Sequence, residues 1–132
     1  MDGPSGGSPT VDPLIGEMTG RIVVAPHVTR HGEGSLVTLI GEIDAALRET
    51  ASASMVEIVR RGGPVVIDAG GVTFIDSSGL AFVLQLHRVV EEDGQSCTLR
   101  NPPAMLLETL ELIGMGGRLR VDTTDEEFAP AG

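Results

Sequence analysis

The chain has 132 residues and a formal net charge of −10, with three Phe and no Trp or Tyr. That length suits one domain with a modest aliphatic core. The acidity and the scarcity of aromatic faces argue against a phosphate-binding surface and against stacking on nucleic-acid bases. No apolar run is long enough to span a bilayer, and no basic stretch followed by an apolar one opens the chain, so a cytoplasmic protein is expected.

Residues 1–19 mix Gly, Pro, Ser and Thr without periodicity, and are expected to be a disordered N-terminal tail. The folded domain is expected over residues 20–121. Residues 122–132 form an acidic C-terminal tail, with Phe128 its one aromatic residue. Seven of the nineteen acidic residues lie within residues 1–20 and 121–132, where charge serves mainly to solvate.

Arg21 to Thr29 predicts a first strand. Pro26 removes a ladder donor and places that strand at or near a sheet edge. Residues 30–34 predict a hairpin loop, with Gly32 and Gly34 available for positive φ. Ser35 to Gly41 predicts the second strand. Asp44 then offers a carboxylate to cap a first helix, whose apolar stripe is Leu47, Ala51, Met55, Ile58 and Val59. Gly62-Gly63-Pro64 ends it.

Val65 to Asp68 is a short continuous apolar run, the pattern of a central strand. Gly70-Gly71 reads as a turn after it. A second helix is expected from Ser77 or Ser78 to about Glu92, apolar enough to be mostly covered. Ser96 to Leu99 predicts a fourth strand. Asn101-Pro102-Pro103 predicts the start of a third helix, with Asn101 as cap and proline in the first turn. Met105, Leu106, Leu110 and Ile113 give that helix its face, and Gly114 ends it. Arg118 to Val121 predicts a last strand. The order is β-β-α-β-α-β-α-β, which implies an α/β fold with a mixed, mostly parallel sheet.

Asp76-Ser77-Ser78-Gly79 concentrates the chemistry. Asp and Ser suit a helix cap, and a helix N-terminus carries partial positive charge. A phosphate esterified to Ser77 would be tolerated there. It would add about −1.5 to −2 charge. Beside Asp76 and Asp44, that charge would spoil a docking surface while the fold persists.

Ser77 does not suit a hydrolase nucleophile. The elbow motif needs Gly two residues before the serine, where this chain has Ile75. The possible bases, His27, His31 and His87, fall in an edge strand, a hairpin loop and an apolar helical stripe. No metal-ligand spacing and no cofactor motif occurs; Gly70-Gly71 is too short for a phosphate loop and no Lys follows it. The single Cys97 excludes an intrachain disulfide and reads as a buried, inert thiol.

The run Val66-Ile67-Asp68 … Val72-Thr73-Phe74-Ile75-Asp76-Ser77-Ser78-Gly79-Leu80 closely resembles the signature of the STAS domain family, and within it the bacterial anti-sigma factor antagonists. Gly41-Glu42-Ile43-Asp44 resembles their segment before the first helix, and Asn101-Pro102 with Leu110, Ile113 and Gly114 their third helix. The resemblance covers roughly residues 20–121. It implies helices packed on one face of the sheet, and a binding protein rather than an enzyme. It also implies partner switching. The unphosphorylated antagonist binds an anti-sigma factor with serine kinase activity, that kinase phosphorylates Ser77, and a PPM-type serine phosphatase reverses the modification. Asp44, Asp76, Ser77, Ser78 and Gly79 would form the partner surface, with Ser78 supporting the turn. No direct nucleic-acid contact and no membrane insertion are implied. The alternative within the same family is an unphosphorylated accessory or scaffold module of a membrane transporter or sensory complex.

Overall fold

A computed structural model describes residues 20–123. The expectations for residues 1–19 and for the acidic residues from 124 onward lie outside the described residues. The elements are β1 (Arg21–Thr29), β2 (Gly32–Ile43), a 3-10 turn (Ala45–Leu47), α1 (Arg48–Arg61), β3 (Val65–Ile75), α2 (Ser77–Glu92), β4 (Cys97–Arg100), α3 (Ala104–Leu112) and β5 (Arg120–Asp122).

The five strands form one sheet in the order β1-β2-β3-β4-β5. β1 pairs antiparallel with β2, and the remaining pairs are parallel. The three helical crossovers all step the same way across the sheet. Right-handed connections therefore lay all three helices on one face. Burial along β2 shows the result: Ser35, Val37, Leu39, Gly41 and Ile43 are buried, while Leu36, Thr38, Ile40 and Glu42 are half-buried on the opposite face. The core under the helices is aliphatic, built on Val37, Leu39, Ile67 and Leu99 from the sheet, Ile58 from α1, Val83 and Leu86 from α2, and Leu106 and Leu110 from α3.

Several boundaries differ from the sequence expectation. The β1–β2 loop shrinks to Arg30-His31, because Thr29 pairs with Gly32 and its Oγ1 accepts from the His31 N–H at 2.9 Å. Gly32 takes positive φ (123°), whereas Gly34 stays in the strand. There a Cβ would collide with the Pro64 carbonyl oxygen.

β3 is the larger correction. It runs on through Gly70-Gly71 to Ile75, so the glycines make no turn. The register moves from Thr38↔Asp68 to Ile40↔Gly71, and again from Gly41↔Val72 to Glu42↔Phe74. Each step inserts one extra residue in β3; Gly70-Gly71 accommodate the first bulge without a side chain to place, and Thr73 is the extra residue of the second.

On α1, the covered stripe is narrower than expected. Leu47, Ser54 and Ile58 are buried, but Val59 is exposed, as is Val56. α2 is covered as expected, burying Phe82, Val83, Leu86, His87 and Val90. Asn101 does not cap α3. It takes a left-handed φ of 53°, Pro103 holds the cap position without a side-chain bond, and α3 starts at Ala104. Pro103 disfavours helical backbone at Pro102 before it, and is itself extended, so the helix is delayed to Ala104. Ile113 ends α3 half-exposed instead of adding to its face.

Candidate functional site

The C-terminal end of β2 meets the N-terminal end of α2. The Asp76 N–H donates to the Ile43 carbonyl at 3.2 Å. Gly79, one turn into α2, lies against the same carbonyl, and a Cβ there would collide with it. Only glycine lets the helix approach the strand this closely.

Asp76 is the N-cap of α2. Its Oδ1 accepts from the N–H groups of Ser78 (2.9 Å) and Gly79 (3.1 Å). Its carbonyl accepts from the Leu80 N–H at 2.8 Å. Two of the free donors at this helix end are therefore already taken by a carboxylate. Ser77 is the first helical residue and is exposed; Ser78 is half-buried.

Asp44 caps the other element at this junction. It holds the 3-10 turn rather than α1 itself, its Oδ1 accepting from the Ala46 N–H at 3.0 Å. Asp44, Ser78 and Gly79 line one cavity of about 580 Å³ between α1 and α2, walled by Leu47, Met55 and Phe82, with Arg48 also among its lining residues. Asp44 and the start of α2, separated by more than thirty residues of chain, thus share a rim. Phe74 stands just before this junction and is 48% exposed. The sequence does not mark Phe74 as exposed; the bulge that pairs it with Glu42 lies next to it in β3.

The histidines are elsewhere. His27 and the His31 turn lie in the β1–β2 hairpin, at the end of the sheet where Ser35 pairs with Val65, opposite to the end where Ile43 pairs with Ile75. His87 is buried in α2, its Nε2 3.3 Å from the Glu91 carboxylate. No histidine is placed to serve Ser77 as a base. Among the described residues, no group of three or more His, Cys, Asp or Glu side chains gathers to hold a metal. Cys97 is buried, and burial together with nearby Glu91 pushes its thiol pKa up to about 12.

A family model for the Mlab-type STAS domain matches residues 27–121. The chain belongs to the STAS domain family. Solved STAS-fold structures align along most of the chain. The anti-sigma factor antagonist SpoIIAA in its unphosphorylated form superposes with a TM-score of 0.64 at 24% identity, covering 84% of this chain and 95% of that one. An anti-sigma factor antagonist from Mycobacterium paratuberculosis gives 0.60 at 22% identity, covering 84% and 93%. The STAS fold also matches the murine anion transporter Slc26a9 at 0.62 and 16% identity, covering 91% of this chain and 24% of that one. At these identities the likeness is one of fold. A search of curated protein sequences finds no match. No helix among the described residues is long and apolar enough to cross a membrane.

Proposed function

We propose that this STAS domain is an anti-sigma factor antagonist, switched by phosphorylation of Ser77. The observation that carries the reading is the exposed Ser77 at the first position of α2, between the capping Asp76 and Ser78, which shares the α1–α2 rim with Asp44. A kinase can reach the Ser77 hydroxyl without unfolding the helix. The phosphate would gain little from the helix end, because Asp76 already takes the N–H groups of Ser78 and Gly79. Its main effect would be added negative charge beside Asp76 and Asp44, which a partner surface built to meet a neutral hydroxyl would have to bury unpaired.

In this reading the unphosphorylated domain binds an anti-sigma factor with serine kinase activity in the cytoplasm and frees its sigma factor for transcription. A PPM-type serine phosphatase restores the binding form. Asp44, Asp76, Ser77, Ser78 and Gly79 form the contact, with Phe74 as an apolar neighbour. The protein acts by binding and performs no chemistry itself. Likeness of fold to SpoIIAA, solved in both unphosphorylated and phosphorylated forms, supports the reading.

The test is phosphate transfer from ATP by the anti-sigma kinase, mapped by mass spectrometry, with a binding titration of wild type against Ser77→Glu. Modification of Ser77 and at least tenfold weaker binding by the variant are expected, the latter about 1.4 kcal/mol. Full modification of Ser78 in the Ser77→Ala variant, or equal affinities, would overturn it.

A second reading is an accessory or scaffold STAS module of a transporter or sensory complex. It draws on the fold likeness to a sulfate transporter family protein from Wolinella succinogenes and to the anion transporter Slc26a9. Copurification with a membrane transporter, unchanged in Ser77→Ala and Ser77→Glu, would favour it.

A further inference from the structure

The solvent side of α1 carries a pattern that the core does not use; of its four residues only Val56 also lines the α1–α2 cavity near Ser78. Glu49, Ala53, Val56 and Arg60 are all exposed, at spacings of four, three and four residues. At about 100° per residue these four fall on one stripe roughly 60° wide. The stripe lies opposite the buried side marked by Ser54 and Ile58. Val56 is 57% exposed, and Val59 beside it is 54% exposed. Among the described residues, neither Glu49 nor Arg60 has an ion-pair partner; the α1 pair is Arg61 with Glu57.

The stripe is self-complementary. In an antiparallel pair of α1 helices related by a twofold axis midway between Ser54 and Met55, Glu49 of one copy faces Arg60 of the other. Ala53 faces Val56, and both contacts occur twice. Charge meets opposite charge at the two ends, and a small side chain meets a branched one at the centre. A twofold contact must have this property, because each residue meets its own mirror position in the partner. A parallel pairing would set Glu49 against Glu49 and Arg60 against Arg60. We infer that the α1 stripe is a homodimer surface whose occupant is a second copy of this chain, packed antiparallel through Glu49, Ala53, Val56 and Arg60.

The inference does not depend on the role of Ser77. One helix seam of about 17 Å is a small interface, so association is weak and concentration-dependent. The ion pairs at its ends are exposed and add modestly, so dimerisation also weakens as salt rises.

The test is sedimentation velocity of the full chain from low-micromolar to millimolar concentration. A reversible monomer–dimer equilibrium is expected. Arg60→Glu places Glu opposite Glu at both ends and should weaken dimerisation about tenfold or more. The double variant Glu49→Arg with Arg60→Glu exchanges the charges and should restore it. All these positions are exposed, so the variants keep the fold. A chain that stays monomeric throughout, a dimer indifferent to Arg60→Glu, or a double variant that fails to recover would each overturn the inference.

Discussion

Gly79 in α2 packs against the carbonyl oxygen of Ile43 at the end of β2, closely enough that a Cβ would collide with it and crowd the Ile43 and Ile75 side chains. The contact joins the two ends of the candidate site, since Ile43 precedes Asp44 and Gly79 follows Ser77 and Ser78. The Asp76 N–H bond to the same carbonyl makes it a two-point attachment.

Gly79→Ala should therefore be a destabilising substitution, in spite of alanine's better helix propensity. Backbone cannot yield as a side chain can, and the overpacking cost is about 1–3 kcal/mol. Urea denaturation checks it. An unchanged midpoint would show that α2 can shift away from β2.

Asp76 and Ser77 should separate by stability. Asp76→Ala removes a half-buried cap that accepts two N–H bonds, and should lower stability by about 1–2 kcal/mol. Ser77→Ala removes an exposed hydroxyl, and should change stability by less than about 0.5 kcal/mol. Thermal melts of both variants measure the difference. A large loss in Ser77→Ala would mean that its hydroxyl holds the fold.

Cys97 should be silent toward thiol reagents in the native protein. Burial and Glu91 push its pKa to about 12 from the ordinary 9.0. At neutral pH the nucleophilic thiolate is absent and the sulfur is covered. A chromogenic disulfide reagent should find one thiol after denaturation and none before. The same shift sets a pH dependence. The folded pKa lies above the unfolded one, so its contribution is intact below pH 9.0 and is lost as pH rises toward about 12. The urea midpoint should fall between neutral pH and about pH 10.

Asn101 should prefer glycine to any branched residue. Its φ of 53° lies in the left-handed region, which asparagine tolerates and β-branched side chains resist. Asn101→Val should cost about 1–2 kcal/mol, while Asn101→Gly should be close to neutral. Chemical denaturation of the pair tests this.

Much of this molecule was legible in the sequence, and the reason is local. Helical spacing marked α2 from Ser77 to Glu92, and α2 occupies that span. The Asp76-Ser77-Ser78-Gly79 run carried its own cap chemistry, and Asp76 does cap the helix. Pro26 marked the edge strand, and β1 is at the edge. Each of these signals depends on residues within a turn or two of one another.

What the sequence left open depends on partners far along the chain. Gly70-Gly71 looked like a turn, because nothing local reveals that β2 continues beside them as far as Ile43. Val59 looked like core, because helical spacing gives a stripe without telling how wide a strip the sheet will cover. Asn101 looked like a cap, while the Asp122 carbonyl that accepts its N–H at 2.7 Å lies twenty-one residues away. The site divides along the same line. Local order by itself determined an exposed serine behind a capping aspartate at the start of a helix. Asp44 was joined to that serine only through the family resemblance; the physical reason that Asp44 shares a rim with Ser78 and Gly79 is tertiary, because the parallel pairing of β2 and β3, with two bulges in β3, brings both strands to an end at one place.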